Sequence, residues 1–247
     1  MILFFSATGN SKYVATRIAE EIHDEMIRIA DCIAQNKYTF EDKQIGIITP
    51  TYFWGMPSIV SDFLKKAEFY TDYLYFIATY GTTPGATGAL AKETIRNRDI
   101  DACYSVRMVD TYTPIFDIST KERQRKFVQN TEAEIETVIK LVQERYHNKR
   151  MKHSAPALVV KGVAQPIYNQ KARLTSRLFV DENCIGCGLC AKKCPIQAIQ
   201  MQGGKPAWVK KKCVMCLGCL HRCPKFAIQC GNKTRNHGQY TNPNAKI

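Results

Sequence analysis

The chain has 247 residues, of which 45% are hydrophobic and 23% charged, and this composition can bury the cores of one or two domains. No apolar run approaches the roughly 18 residues that a membrane-spanning helix needs, and the first residues read as a strand, not as a signal peptide, so we expect a cytoplasmic protein without a membrane span. The formal charge of +13 is unevenly distributed along the chain. Residues 1–150 carry 19 basic and 20 acidic side chains, and residues 151–178 carry five basic and no acidic side chains. Residues 179–247 carry eleven basic and two acidic side chains.

Apolar, β-rich runs alternate with stretches of helical period in the first 150 residues. The runs cover residues 2–6, 26–30, 45–49, 73–79 and 103–109, and helical stretches include residues 11–22 and 58–69. A closing helix is predicted over residues 119–147, because Phe127, Ile135, Val138, Ile139 and Val142 recur at helical spacing. This alternation predicts an α/β domain with a doubly wound sheet of five parallel strands.

The first predicted strand runs directly into a helix through a short polar loop. Successive backbone N–H groups, side-chain hydroxyls and the helix N-terminus face one point there, which suits a phosphate. The sequence has neither a G-x4-G-K-[ST] loop nor a G-x-G-x-x-G loop, so a monophosphate fits better than a nucleoside triphosphate or a dinucleotide. The predicted phosphate-binding residues are Ser6, Thr8, Gly9, Asn10 and Ser11.

Two further loops follow the third and fourth predicted strands, where ligands of doubly wound sheets bind. Tyr52 or Trp54 can stack on a flat ring, and backbone N–H groups near Tyr80 and Gly81 can donate to its carbonyl edge. Each aromatic side chain alone could equally close a core. The residues predicted to contact a cofactor are Pro50, Thr51, Tyr52, Phe53, Trp54, Gly55, Thr79, Tyr80 and Gly81.

Residues 151–178 contain prolines, a glycine and scattered basic side chains without clear periodicity. We interpret this stretch as a connector between a domain of residues 1–150 and a second domain of residues 179–247.

The second domain carries eight of the eleven cysteines in two runs spaced C-x2-C-x2-C-x3-C-P, and the runs align with a shift of 29 residues. This spacing is the ligand pattern of two [4Fe–4S] clusters. Disulfides are typical of small secreted chains, and zinc sites usually show paired C-x2-C motifs or added histidines, so both alternatives fit less well. Cys32, Cys103 and Cys230 have no ligand spacing, and we assign them no role.

The two cysteine runs resemble those of bacterial two-cluster ferredoxins, where the last cysteine of each run binds the other cluster. This resemblance implies one cluster on Cys184, Cys187, Cys190 and Cys223, and a second on Cys213, Cys216, Cys219 and Cys194. The phosphate loop and the strand spacing of the first half resemble the flavodoxins, which implies bound FMN and the strand order 2-1-3-4-5.

The whole chain therefore resembles fusions of a flavodoxin-like domain with a two-cluster ferredoxin domain, found chiefly in anaerobes. Residues 238–243 also look like the tail of these fusions. The family implies that electrons pass between a low-potential donor, the clusters and FMN. One departure concerns the loop after the fifth strand, which reads Met-Val-Asp-Thr-Tyr over residues 108–112 where such fusions commonly have a Met-Pro-x-Asn-Tyr-like sequence. Asp110 and Tyr112 in this loop are the only catalytic candidates.

The basic second domain predicts a partner. A nucleic acid is disfavoured because no motif with interleaved aromatic side chains is present, and cluster charge accounts for part of the excess. An acidic redox protein, such as a ferredoxin, fits a docking face formed by Lys192, Lys193, Lys210, Lys211, Lys212, Arg222 and Lys225, although a merely solvated face is an equal alternative.

Two classes of function remain, and a purely structural subunit of a redox complex is a weaker third. A reductase of a small molecule is favoured slightly over an electron carrier, because Asp110, Tyr112 and Trp54 offer groups that could line a substrate pocket. The sequence leaves open whether electrons pass between cluster and flavin within one chain or across a homodimer.

Overall fold

The first half of the chain forms a five-stranded parallel sheet. A computed structural model describes residues 1–148, 151 and 155–247. The predicted boundary between the first domain and the connector lies between residues 150 and 151, and residue 150 is outside the described part. The strands run in the order β2-β1-β4-β6-β7, which confirms the predicted topology. Their bounds are Ile2–Phe4 (β1), Met26–Arg28 (β2), Gln44–Pro50 (β4), Tyr73–Tyr80 (β6) and Ala102–Arg107 (β7).

Helices cover both faces of this sheet, so its central strands are buried along nearly their whole length. Leu3, Ile47 and Phe76 point into a core closed by α3 (Ser58–Leu64) and α4 (Thr87–Thr94). Ile2, Ile48 and Ile77 point to the opposite face, which α1 (Asn10–Ile22) and α6 (Thr131–Gln143) cover. Helix α2 (Ile29–Ala34) and a small parallel pair, β3 (Thr39–Glu41) with β5 (Glu68–Tyr70), complete this half.

The predicted closing helix over residues 119–147 is wrong in one respect, since it consists of two helices. α5 (Lys121–Phe127) ends at Val128, and α6 begins at Thr131. The Thr131 side chain donates a 2.6 Å hydrogen bond to the carbonyl of Arg107, and the Asn130 carbonyl accepts from the Glu134 N–H. Because Asn and Thr are more favourable at helix starts than in helix interiors, a new helix begins here.

The stretch interpreted as a connector is largely helical. α-Helical turns at Ala157–Val159 (α7) and Gln165–Ile167 (α8) alternate with π-helical turns at Val160–Ala164 and Tyr168–Ala172. π-Turns hold more than 3.6 residues, so a repeat of four residues stays on one face. The buried side chains follow that repeat: Val160, Ala164, Tyr168 and Ala172. A period of 3.6 residues does not reveal this pattern, so the sequence did not predict a helix here.

The C-terminal part folds as a small α+β unit around its own core of Leu178, Met215, Leu220 and Ile228. A short 3₁₀ turn at Thr175–Arg177 precedes it. Two antiparallel pairs build it, β8 with β11 and β9 with β10. The elements are β8 (Leu178–Val180), α9 (Leu189–Lys192), β9 (Ile199–Gln202), β10 (Lys205–Trp208), α10 (Gly218–His221), β11 (Ile228–Cys230) and α11 (Thr234–His237). None of the helices in the described part of the chain has the length and apolarity to cross a membrane.

The Tyr75 ring lies over Gly46 of the neighbouring strand, and its buried hydroxyl has no hydrogen-bond partner among the described residues. We expect Tyr75→Phe to raise the free energy of unfolding by about 1 kcal/mol, because it removes a desolvated, unpaired hydroxyl. Tyr73→Phe on the same strand is the matched control: its hydroxyl donates to the Tyr146 carbonyl at 2.9 Å, so its loss should destabilise by about 1 kcal/mol. Anaerobic urea unfolding measures both, and equal destabilisation would contradict the assignment.

Candidate functional site

The loops after β1, β4, β6 and β7 meet at one edge of the sheet, where they enclose a cavity of about 260 Å³. Carboxyl ends of parallel strands are the usual ligand-binding edge of this architecture. A segment of the C-terminal part, which includes Cys216, forms the remaining wall. The cavity therefore lies between the two halves of the chain.

One end of the cavity is built by the loop after β1. Ser6, Thr8, Asn10 and Ser11 line it, beside the N-terminus of the 13-residue helix α1, whose first turn holds no acidic side chain. The Ser11 hydroxyl is hydrogen-bonded to that of Thr79 at 2.8 Å, and the Asn10 amide donates to the carbonyl of Val109 at 3.0 Å. The hydroxyls and the positive end of the helix dipole suit a phosphate group.

The opposite end is aromatic. Tyr52, Phe53 and Trp54 line it, and Phe53 and Trp54 have positive φ angles of 48° and 60°. Reciprocal backbone hydrogen bonds between Tyr52 and Gly55, at 2.7 and 3.0 Å, hold this tight turn. Left-handed backbone costs a bulky residue about 1–2 kcal/mol, and such strain is concentrated at functional sites.

Most predicted cofactor residues line the cavity, and two glycines do not. A side-chain atom on Gly9 would lie 2.9 Å from Cβ of Asn242, and one on Gly55 would lie 2.3 Å from Nε2 of Gln165. Both glycines thus face neighbouring segments. Lining the cavity are Ser6, Thr8, Asn10, Ser11, Pro50, Thr51, Tyr52, Phe53, Trp54, Thr79, Tyr80 and Gly81.

Asp110 and Tyr112 both line the cavity from the loop after β7. Burial raises the pKa of the Asp110 carboxyl, while hydrogen bonds from the Tyr112 N–H (3.1 Å) and the Thr82 hydroxyl (3.0 Å) oppose this shift. The Tyr112 ring packs edge-on against Phe53, with centroids 5.3 Å apart. Burial also raises the pKa of Tyr112, and the nearby Arg177 opposes it.

Several residues that line the cavity were not predicted from the sequence, among them Thr82, Tyr168, Met215 and Leu217. Tyr168 is 1% exposed; its hydroxyl donates to the carbonyl of Val214 at 2.7 Å, and its ring stacks on Phe53 at 5.5 Å. The only sequence signal for it is the four-residue repeat in the connector.

The structure groups the eight motif cysteines around two small cavities. The first cysteine set, Cys184, Cys187, Cys190 and Cys223, surrounds one cavity, and the second cysteine set, Cys194, Cys213, Cys216 and Cys219, surrounds the other. These are the groupings expected for shared ligands. All eleven cysteines are free, and the described residues contain no group of His, Cys, Asp or Glu arranged for a single metal ion.

The donor chemistry of both sets fits a cluster. Backbone N–H groups of Ala198 and Ala227 donate to the sulfurs of Cys194 and Cys223, each at 3.2 Å, which repeats one hydrogen bond in both halves of the duplication. Such N–H donors stabilise the negative charge of cluster thiolates. Burial raises the pKa of the Cys213 thiol to about 12, and a bound metal centre, which lowers the pKa of its thiol ligands, would oppose this shift.

Comparison with family models divides the chain in the same way. Residues 1–105 match a flavodoxin domain, and residues 177–224 match a 4Fe-4S dicluster domain. The chain joins a flavodoxin domain to a 4Fe-4S dicluster domain. These two domains support an electron-transfer role for an iron–sulfur flavoprotein.

Solved structures similar to the flavodoxin domain come from several sources, and no curated protein matches the chain. The Trp repressor binding protein from Bacillus subtilis is 11% identical with a TM-score of 0.36, over 57% of this chain and 96% of that one. Rubredoxin oxygen:oxidoreductase from the anaerobe Desulfovibrio gigas is 12% identical with a TM-score of 0.35, over 58% of this chain and 36% of that one. A flavodoxin from the domain Archaea is 13% identical with a TM-score of 0.30, over 59% of this chain and 97% of that one.

The two cysteine sets of the dicluster domain predict which variants share a phenotype. Cys223→Ala should remove the same cluster as Cys184→Ala, and Cys194→Ala the same cluster as Cys213→Ala, because each pair surrounds one cavity. Low-temperature EPR of the anaerobically reduced variants, with iron analysis, measures this. A Cys223→Ala spectrum that matches Cys213→Ala would overturn the shared-ligand assignment.

The raised pKa of Asp110 in the flavodoxin domain predicts a pH-dependent stability. The folded carboxyl binds its proton more tightly than the unfolded one, so stability falls as pH rises from about 3.9 through the folded pKa. Asp110→Asn does not titrate, and it can still accept from the Tyr112 N–H and donate to Thr82. We expect its melting temperature to exceed that of wild type by up to about 3 °C at pH 8, and this gain to shrink as the pH falls through the folded pKa of Asp110 towards about 3.9. Anaerobic calorimetry measures the gain, and one that is constant with pH would contradict the prediction.

Proposed function

We propose that this protein binds FMN and two [4Fe–4S] clusters and passes electrons from a low-potential donor through the clusters to the flavin. One observation carries the proposal: Cys216 lines the same cavity as Ser6 and Thr8 of the phosphate loop, within one chain. We therefore call the cluster of the second cysteine set the proximal cluster and that of the first set the distal cluster. This arrangement supports transfer inside one chain instead of across a homodimer.

The cavity supports FMN as the flavin. Hydroxyl groups and the N-terminus of α1 would hold the phosphate, and the aromatic turn at residues 52–54 would contact the ring system. A bound flavin takes up electrons singly and delivers two, so it converts one-electron supply from the clusters into two-electron reduction. Tyr52 would lie between the two cofactors, because it lines the cavity and is close enough to Cys216 and Cys213 for these thiols to affect its pKa, which burial raises most.

The distal cluster supports entry of electrons from a protein partner. Cys187 of the first set is exposed and Ile185 beside it is 60% exposed, whereas Val214 and Met215 in the other run are buried. Exposed lysines surround this domain, and an acidic ferredoxin is the partner that such a surface would attract. The proposed docking face comprises Lys192, Lys210, Lys211, Lys212 and Lys225.

Lys193 and Arg222 were predicted to belong to the docking face, but neither side chain is fully exposed. Lys193 is only partly exposed. The Arg222 guanidinium donates to the carbonyls of Gly218 and Lys193, at 3.0 and 3.3 Å, and lies beside the phosphate loop. We therefore leave Arg222 out of the proposed docking face.

The open rim of the cavity supports a reductase that acts on a small molecule. Trp54 and Ile115 line the cavity and are 48% and 63% exposed, so a flat or apolar acceptor could approach the flavin there. Asp110 is the proton donor that we propose, because burial raises its pKa and keeps more of it protonated.

A carrier without its own substrate is the second candidate. The observation in its favour is that both oxygens of Asp110 already accept hydrogen bonds, from the Tyr112 N–H and the Thr82 hydroxyl. A carboxyl held in this way is less free to deliver a proton. A carrier would use the same cluster-to-flavin path and need no proton donor.

An anaerobic redox titration of the purified protein tests the proposal and separates its two forms. We expect released FMN, identified by chromatography, and two cluster signals by EPR. Flavin absorbance that changes in one two-electron step would support the reductase, and two well-separated one-electron steps would support the carrier. Absence of FMN, or of either cluster, would overturn the proposal.

The docking face is tested in the same preparation. Reduction of the flavin by an acidic two-cluster ferredoxin should slow as ionic strength rises, because salt screens attraction between exposed charges. Lys192→Glu and Lys225→Glu should slow it further at low salt, because both lysines are exposed and each follows a cysteine of the first set by two residues. A rate that does not depend on salt would contradict docking at this face.

A further inference from the structure

The last residues of the chain cross from one domain to the other. This C-terminal strap, residues 237–246, begins against the loop after β7: the carbonyl of His237 accepts from the Ile118 N–H at 2.9 Å, and the His237 ring nitrogen Nδ1 lies 2.7 Å from the carbonyl of Thr113. The Gln239 amide then donates to the carbonyls of Leu220 and Cys223, at 2.6 and 2.9 Å. The strap is thus fixed next to a cysteine of the first set.

The strap ends on the phosphate loop. The Asn242 N–H donates to the carbonyl of Thr8 at 2.7 Å, and its side-chain amide donates to Oδ1 of Asn10 at 3.2 Å. Further along, the carbonyl of Lys246 accepts from Lys12 at 2.5 Å. Asn242 is only 6% exposed, so its hydrogen bonds to Thr8 and Asn10 are shielded from solvent.

Asn242 is itself held in one conformation. Its side-chain oxygen accepts from the Asn244 N–H at 2.9 Å, and its carbonyl accepts from the Ala245 N–H at 3.2 Å. The side chain therefore uses its oxygen for the turn of the strap and its amide for Asn10. A rigid donor loses little entropy when it holds its partner.

These contacts act on the groups that face the cavity. Because Thr8 and Gly9 share one peptide plane, a hydrogen bond to the Thr8 carbonyl also fixes the direction of the Gly9 N–H, which donates to Oγ of Ser6 at 3.2 Å. Asn10 is held from two sides, by Asn242 and by the carbonyl of Val109. The strap thus helps to fix the orientation of the Thr8–Gly9 peptide and of the Asn10 side chain at the start of α1.

We propose that the C-terminal strap is a positioning element for the flavin phosphate, with Asn242 as its principal contact. This inference rests on the proposed binding of FMN and adds a specificity to it. Asn242 contacts Thr8 and Asn10 of the phosphate loop and does not itself line the cavity, so it should strengthen the binding of a phosphorylated flavin and not of the isoalloxazine ring.

Flavin titrations with FMN and with riboflavin, which lacks the phosphate, test the strap. The protein is freed of flavin with both clusters retained, and each flavin is titrated anaerobically with fluorescence detection. Asn242→Ala should weaken FMN about fivefold to tenfold and leave riboflavin affinity unchanged, because one or two hydrogen bonds to the phosphate loop are lost or loosened.

Two further variants complete the design. Asn242→Asp has the same shape and still accepts from the Asn244 N–H, but it cannot donate to Asn10 and adds a negative charge, so it should weaken FMN more than Asn242→Ala does. Asn236→Ala is the matched control, because Asn236 is an exposed asparagine of α11 outside the strap; it should bind both flavins as wild type does. Iron content and EPR spectra should match wild type in all three variants.

Each outcome of the titrations is decisive. Equal weakening of FMN and riboflavin, or unchanged FMN affinity in both Asn242 variants, would overturn the strap proposal and leave the proposed function intact. A wild-type protein that binds FMN no better than riboflavin would instead overturn the phosphate site, and with it the proposed FMN function.

Discussion

The buried hydroxyl of Tyr168 joins the two domains, and the geometry of the cavity depends on it. The hydroxyl donates to the carbonyl of Val214 and lies 3.4 Å from the Ser58 N–H, which places it between the dicluster domain and the start of α3. A tyrosine hydroxyl at 1% exposure is stable only with such partners, since an unpaired one costs about 1–3 kcal/mol. The ring meanwhile stacks on Phe53 and meets Tyr52 edge-on. One side chain therefore sets both the position of the cysteine-bearing segment and that of the aromatic turn.

The aromatic turn is strained, and its surroundings hold it in place. The carbonyl of Trp54 accepts from the Ala86 N–H at 2.8 Å, and Gly85 packs against the Trp54 backbone so closely that an added Cβ would lie 2.3 Å from that oxygen. The Gln165 amide also donates to the carbonyl of Phe53 at 3.2 Å. The hydrogen bonds from Ala86, just before α4, and from Gln165 in the connector thus offset the free-energy cost of the left-handed backbone at Phe53 and Trp54. The connector therefore helps to fix the aromatic wall of the cavity.

Local patterns predicted most of the fold, and the contacts that close the site could not be predicted from them. The five strands are short apolar runs, so each was visible alone, and the cysteine spacing is specific in itself. The break between α5 and α6 depends on the hydrogen bond from Thr131 to Arg107, which is 24 residues away in sequence. The contact of Asn242 with Asn10 spans 232 residues. Contacts between residues so far apart leave no periodic signal in the sequence. The helical turns of the connector were not predicted because its π-turns replace the period of 3.6 residues by a repeat of four.

The duplicated cysteine runs differ where the proposed path requires a difference. Gly186 and Gly188 in the first run align with Met215 and Leu217 in the second, and all four residues have positive φ angles, of 66°, 73°, 55° and 53°. The backbone is thus the same, but the second run accepts left-handed methionine and leucine at a cost of about 1–2 kcal/mol each. Both side chains are nearly fully buried and line the cavity, and burial of such a side chain contributes about 1.5–3 kcal/mol. The two terms are similar in size, so apolar packing at the cavity can offset the cost of placing bulky residues in left-handed backbone. The glycines of the first run need no such compensation, because glycine has no Cβ and adopts positive φ angles without steric cost. Ile185 and Cys187 of that run are exposed, and this asymmetry suits an outer role for the first run and an inner role for the second.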